Sequence, residues 1–377
     1  MKDADQKSGF KYPWAKPYID ESDRVAVNQA LDSGWISDGE FVRRFEQGFA
    51  HSIQADHALT CSSGTAALML ALLALEVGPG DEVIVPGYGF AGAANMVLAV
   101  GAKPVFVDVC ADDWCLDPSQ IELFFTPQTK ALIVIHNYGA IAHMDRILAL
   151  TNRYNVKVVE DCAEAAFSEY QGLFAGCIGD VGCFSFQAAK TLAAGEGGMV
   201  VTQSEDLYER MLLLRNHGMQ PGRHYFHAVA GHNFRMTNLQ AALGWAQLQK
   251  KEFLCRRRRM ITDYYRDFFH KYRELSFQLI KPSEHPIFWA NAVLLDENAE
   301  HTRDEVMKSL AAAGIETRPG FVTFDQMPPY QAHPLPVARA LSERILCLPT
   351  YAALEKNDLH EICREVKRHA VKEKSFF

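Results

Sequence analysis

The chain has 377 residues, 48% hydrophobic and 22% charged, an ordinary globular composition with more chain than one core comfortably supports. Its formal charge of −8 argues against nucleic acid or an anionic membrane as the main partner. Nine cysteines, odd in number and without CxxC spacing, predict reduced thiols in a cytoplasmic protein and no metal site of that pattern. The opening run MKDADQKSGFKYPW lacks the apolar core of a signal peptide, and the longest apolar run, ALMLALLAL, is too short to span a bilayer.

In chain order, Tyr18 to Ser22 leads into an amphipathic helix that Gly34 stops, and Gly39 opens a second helix with Phe41, Phe45 and Phe49 on one stripe. A short strand then runs into Ser63-Gly64-Thr65 and a strongly apolar helix. Those residues stand where free amides and the helix dipole attract phosphate, although a plain N-cap uses the same residue types. From Asp81, strands over 82–86, 104–109, 131–136 and 156–161 alternate with helices over 91–100, 118–125 and 144–154. Strands apolar throughout and separated by helices predict a parallel sheet covered on both faces, with ligands beyond the strands' carboxyl ends. Phe90, the run His136-Asn137-Tyr138 and Asp161 fall at those ends. Asp161 has two readings: a carboxylate tied to nearby amides, or one that keeps a pyridine nitrogen protonated.

The chain is organised around Asp180 to Val200, DVGCFSFQAAKTLAAGEGGMV. An apolar run delivers Lys190 into Gly195-Glu196-Gly197-Gly198, and a second apolar run follows. Such a lysine is either a surface residue on a connecting loop or a desolvated amine suited to Schiff-base chemistry. Ser185 offers a hydroxyl to an anion, and with Ser63-Gly64-Thr65 it forms the second half of a phosphate cup. Beyond a helix over 205–214 comes a loop rich in histidine whose spacing fits no standard metal-ligand set. A long helical segment from Asn238 to Tyr272 carries Arg256-Arg257-Arg258-Arg259, read as a solvated face. The remainder predicts a small α+β part: strand near 289–295, helix 302–313, strand 315–318, a long loop, strand 345–348 and a final helix 354–371.

With Ser63-Gly64-Thr65, Glu160-Asp161-Cys162-Ala163-Glu164-Ala165, Phe184-Ser185-Phe186 with Lys190, and Gly195-Glu196-Gly197-Gly198 in this order, the chain resembles the DegT/DnrJ/EryC1/StrS aminotransferases. The resemblance implies a fold-type I α/β enzyme. Residues 1–250 would form a large domain, with a mixed, mostly parallel sheet between helices, and residues 251–377 a small α+β domain. It further implies transfer of an amino group from L-glutamate to a nucleotide-linked keto sugar. Within the family, the runs Val229 to Asn238 and Gly314 to Pro319 point to the sugar C4 branch and a 4-keto-6-deoxy acceptor. Gln187-Ala188-Ala189, Gly87-Tyr88-Gly89-Phe90 and Asn137 to Ala142 depart from the usual patterns, which leaves a cyclitol ketone or another keto sugar open. A regulator that binds the cofactor without turnover is the alternative from another class.

Residue by residue, the resemblance implies that Lys190 binds pyridoxal 5′-phosphate as an imine and then moves protons, with pyridoxamine phosphate carrying the amino group. Asp161 would pair with the pyridinium nitrogen, Phe90 would stack on the ring, and Glu164 would lie near the ring and its hydroxyl. Ser63, Gly64, Thr65 and Ser185 would hold the phosphate. Asn233 would reach it from the neighbouring subunit of a homodimer with shared sites. His217, Arg235 and Arg318 are implied to line the donor or sugar pocket.

Overall fold

The computed structural model describes residues 9–372, so most of the polar opening run lies outside the described residues. Two helices come first, α1 (Glu21–Asp32) and α2 (Glu40–Ile53). Asp20 caps α1 in a capping box with Asp23, and Gly34 turns the chain away at φ +72°. Phe41, Phe45 and Phe49 are all buried, and Phe49 meets Phe184 and Phe186 edge-on.

The alternating region gives β1 (His57–Cys61), α3 (Gly64–Ala74), β2 (Glu82–Pro86), α4 (Gly92–Ala99), β3 (Lys103–Val107), α5 (Pro118–Ile121), β4 (Thr129–Ile135), α6 (Met144–Tyr154) and β5 (Lys157–Asp161). A hairpin of β6 (Glu169–Tyr170) and β7 (Leu173–Phe174) precedes β8 (Val181–Ser185) and β9 (Gly198–Thr202). The main sheet has the order β1-β9-β8-β5-β4-β2-β3. Strands β3, β2, β4, β5 and β8 pair in parallel, while β9 runs antiparallel to both β8 and β1. The expected mixed, mostly parallel sheet is therefore the one found. The reversal has a plain cause: β8 and β9 are joined by the Lys190 loop rather than by a crossover helix, so the chain must turn back.

Next come α7 (Glu205–Arg215), α8 (Asn238–Gln249) and α9 (Lys251–Phe269). The single helix expected over Asn238 to Tyr272 is two, broken at Lys250 (φ −104°, ψ 10°). The Lys250 ammonium reaches back to Asp20 at 3.0 Å and to Asp23, a tertiary pull that local propensity does not register. The four arginines of α9 do not form one solvated face either. Arg258 is 7% exposed because it shares a helical face with Leu254, Ile261 and Tyr265.

The remaining elements are β10 (Leu275–Ser276), β11 (Glu284–His285), β12 (Asn291–Leu295), α10 (Arg303–Ala312), β13 (Arg318–Pro319), α11 (Pro336–Arg344), β14 (Ile345–Leu348) and α12 (Lys356–Ala370). Four of the strands form an antiparallel sheet, β10-β12-β14-β13, and β11 joins the β6–β7 hairpin. Tyr265, Phe269, Leu310, Ile362 and Val366 share a core here, to which Tyr12 contributes from the start of the chain. The strand expected over 315–318 is confined to Arg318–Pro319, because Ile315 bridges to Tyr12 instead. The long loop before β14 holds α11, opened by a proline whose missing N–H loses no helical bond there. Among the described residues no helix is long and apolar enough to cross a membrane.

Candidate active site

A cavity of about 950 Å³ opens beyond the carboxyl ends of β4, β5 and β8. Its lining brings together Ser63, Gly64, Thr65, Phe90, Asp161, Glu164, Ser185, Lys190 and Arg318. At one end β1 feeds into α3, and Ser63 caps the helix, its hydroxyl accepting from Ala66 N at 3.1 Å. The first-turn amides of Gly64 and Thr65 have no partner within the helix, and the positive end of its dipole adds to them. A Cβ on Gly64 would stand 2.8 Å from Cβ of Ser185, and one on Gly198 would stand 2.3 Å from the Ser63 carbonyl oxygen. Glycine at both positions lets the Ser185 hydroxyl and the helix terminus share one cup, with the shape and charge a phosphate requires.

Across the cavity, β5 ends at Asp161, which is 6% exposed. Burial pushes its carboxyl above the usual range, while the Ala163 N–H (3.1 Å) and the charge of Lys190 pull it back. Glu164, 4% exposed, accepts from Tyr138 N at 2.7 Å, and burial pushes it up to about 7. Burial lowers the Lys190 ammonium from its ordinary 10.5, opposed by Glu164 and Asp161 and assisted by Arg258. The neighbouring Glu160 faces away, taking Gly176, Ile178 and Gly179 N–H bonds and meeting His136 Nε2 at 2.9 Å. Alternation along β5 thus gives one carboxylate to the scaffold and one to the cavity.

The amine of Lys190 lies 3.7 Å from the centroid of the Trp289 ring, and Trp289 Nε1 donates to the carbonyl of Ala189 at 2.9 Å. Neither Trp289 nor Arg258 was singled out from the sequence as a site residue. For Arg258 the helical phase with 254, 261 and 265 is the signal that marks it as inward-facing. Tyr138, a strand-end candidate, lines the cavity and bonds Tyr88 through their hydroxyls at 2.7 Å, whereas His136 and Asn137 are fully buried beneath it. Phe90, 61% exposed, leans edge-on to Phe321, and Arg318 pairs with Glu316 at 2.8 Å.

Three implied residues lie elsewhere. Asn233 is exposed and bridges to Asn216, and His217 is exposed at φ +59° with its N–H donated to His232 O at 2.8 Å. Arg235 bonds Asn216 and lines a second cavity, of about 480 Å³, with Asp38, Arg215 and His224. None of the three borders the main cavity.

The donor set fits one group. An amine, a buried acid whose charge lacks a full counter-charge, and a helix-terminus cup surround one space, as a phosphorylated, protonated pyridine aldehyde requires. The fold and this set define a pyridoxal-phosphate transferase. The sequence profile of the DegT/DnrJ/EryC1/StrS aminotransferase family matches residues 17–367. The chain is 42% identical over 358 residues to a GDP-perosamine synthase of Caulobacter vibrioides, spanning 92% of this chain and 95% of that protein. It is 39% identical over 365 residues to a GDP-perosamine synthase of Escherichia coli O157:H7, spanning 95% and 98%. The solved structure of DesV from S. venezuelae, in complex with ketimine intermediate, matches with a TM-score of 0.89 at 32% identity, over 96% of this chain and 100% of that one. The chain belongs to the DegT/DnrJ/EryC1/StrS aminotransferase family. It is a pyridoxal-phosphate-dependent sugar aminotransferase.

Proposed function

We propose that the protein transfers the amino group of L-glutamate to a nucleotide-linked 4-keto-6-deoxy sugar, giving GDP-perosamine. One observation carries the chemistry: the Lys190 amine shares a cavity with Asp161 and Glu164 beside the cup at Ser63, Gly64, Thr65 and Ser185. The acceptor rests on the two GDP-perosamine synthases at 42% and 39% identity.

When bound, pyridoxal phosphate would supply a carrier for the donor's amino group and an electron-withdrawing ring beside the reacting carbon. The chain's own residues do the rest. The amides of Gly64 and Thr65 and the Ser185 hydroxyl would hold the phosphate. Asp161 would keep a proton on the ring nitrogen, so that the ring stays electron-poor. Phe90 would cover one ring face. Glu164, pushed by burial up to about 7, would meet the ring hydroxyl and could give or keep a proton there. Lys190, its amine lowered by burial, would take the proton from the donor's carbon, the donor leaving as its 2-oxo acid. In the second half of the reaction it would deliver a proton to the sugar's carbon as its ketone oxygen leaves as water. Arg318 and Glu316 polarise the outer end of the cavity, where a sugar nucleotide has its polar groups.

The unit we propose is a homodimer. Residues 1–250 form the cofactor-binding part and 251–377 the smaller part, and Asn233 of one protomer reaches the phosphate held by the other. In support, Asn233 lies outside its own chain's cavity while Trp35 and Tyr225 stand 72% and 90% exposed. The deciding assay supplies purified protein with pyridoxal phosphate, L-glutamate and a panel of keto substrates, with the products resolved by mass spectrometry. Formation of GDP-perosamine from its 4-keto precursor is expected. Amination of a cyclitol ketone or a 3-keto sugar in its place would reassign the acceptor. A glutamate-dependent loss of the visible cofactor band separates an enzyme from a silent regulator, which would show none.

A further inference from the structure

Arg258 is a buried cation without an acid. Among the described residues no carboxylate pairs with it. Its guanidinium instead donates to three main-chain carbonyls, Trp289 O at 2.7 Å, Lys190 O at 3.3 Å and, at the limit of a bond, Phe288 O at 3.5 Å. Burial lowers it to about 10, so it stays charged at neutral pH. An arginine that only tied two segments together would be expected to bring an acid with it, because an unpaired buried charge is costly. Its surroundings give that charge another use. Trp289, whose carbonyl it holds, presents its ring to the Lys190 amine at 3.7 Å and donates to the preceding carbonyl, Ala189 O.

We propose that Arg258 is a positioning residue for Lys190: its fork fixes the lysine's main chain and the Trp289 ring together, and its unneutralised charge keeps the nearby amine ready to release its proton. The inference rests on Lys190 being the reacting amine, as proposed above. The charged groups acting on that amine are Glu164 and Asp161, which favour its proton, and Arg258, which disfavours it. Glu164 and Asp161 alone would leave the amine more fully protonated, and so a poorer base, at the pH where the enzyme works. Arg258 offsets them from the main-chain side of the loop, where it occupies none of the space a substrate needs. The planar guanidinium meets the carbonyls of both segments at once and keeps its charge when buried, which suits it to both tasks.

The test reads the amine directly. Full-length protein freed of cofactor is labelled with trace acetic anhydride across a pH series, and the extent of acetylation at Lys190 is read by mass spectrometry. In the wild type the Lys190 midpoint should lie below that of exposed lysines. Arg258→Gln, which keeps donors for the carbonyls and removes the charge, should raise the midpoint above that of the wild type. Arg258→Lys, which keeps the charge and loses the fork, should leave it near the wild-type value. An unmoved midpoint in folded Arg258→Gln overturns the proposal. If that variant does not fold, a midpoint raised above the wild-type value in Arg258→Lys overturns it. The readout needs no turnover, so failure of the proposed reaction would show in the cofactor spectrum and product assay while this midpoint still decides the role of Arg258.

Discussion

Two regions of the molecule carry the implied site residues, and they are held in opposite ways. Lys190, Asp161, Glu164 and Ser185 stand at or just beyond strand ends of the main sheet, and packed walls of the same chain surround them. The loop over 216–237 is pinched at its base, where a Cβ on Gly218 would meet the Val229 carbonyl oxygen at 1.8 Å. Beyond that base Tyr225 is 90% and Phe226 42% exposed, and residues 37–38 adjoin the loop across the second cavity. The sheet-end region has a full set of walls, whereas the tip of the loop leaves Tyr225 largely uncovered. The difference separates a cavity that one chain encloses from a loop that, in the homodimer proposed above, a second copy would cover.

The sharpest way to break that division is at the enclosed end. Lys190→Ala should lower kcat by at least about 10³-fold, since it removes both the nucleophile and the proton carrier. A stopped assay for glutamate-dependent amination, on protein whose pyridoxal phosphate content has been measured, checks this. A variant within tenfold of wild type would move the chemistry away from this cavity.

How much was readable beforehand follows the same division. Buried strands such as β2 and β4 announce themselves as apolar runs, and Lys190 stood out because a lysine between two such runs is out of place. The strand-to-helix junction at Ser63-Gly64-Thr65 was legible from its small residues, which suit a phosphate and an N-cap alike, and Ser63 does cap α3. Trp289 was not, since nothing local says that a residue preceding β12 will meet a lysine on the far side of the fold. Arg258 was masked by three neighbouring arginines, although the phase of Leu254, Ile261 and Tyr265 points it inward. α11 was lost inside the stretch read as a long loop, yet its Pro336 sits at the first turn, where proline is harmless.

A second test asks how strongly the cavity desolvates what lines it. Glu164 is pushed from an ordinary 4.5 up to about 7 by burial, so the folded protein holds a proton there that the unfolded chain has released. Its contribution to stability is present in full below about 4.5 and is lost as the pH rises through about 7. Glu164→Gln removes this dependence and keeps an oxygen for the Tyr138 N–H. In cofactor-free protein the variant and wild type should be equally stable near pH 4. At pH 8 the variant should be more stable, by on the order of 3 kcal/mol. Denaturant melts at the two pH values read the difference, and equal stability at pH 8 would mean that the site is wetter than its 4% exposure implies.

The smallest effect belongs to the loop, and it bears most on the comparison. If Asn233 donates to the phosphate as proposed, Asn233→Ala removes one charge-assisted bond, so cofactor affinity should fall by roughly ten- to a hundredfold with the fold intact. Such a loss alone would not say which chain the donor serves. Mixing does. Lys190→Ala protein lacks the amine but keeps Asn233, and Asn233→Ala protein has the reverse. If each site borrows its asparagine from the neighbour, half of the randomly reassorted dimers are hybrids, and each hybrid holds one site with both residues intact. At cofactor concentrations too low for the Asn233→Ala homodimer, mixed protein should regain about a quarter of wild-type activity. If the asparagine instead served its own chain, every site in every dimer would lack one of the two residues. Activity would then stay at the level of the separate variants, and the loop would belong to the same enclosed half as Lys190.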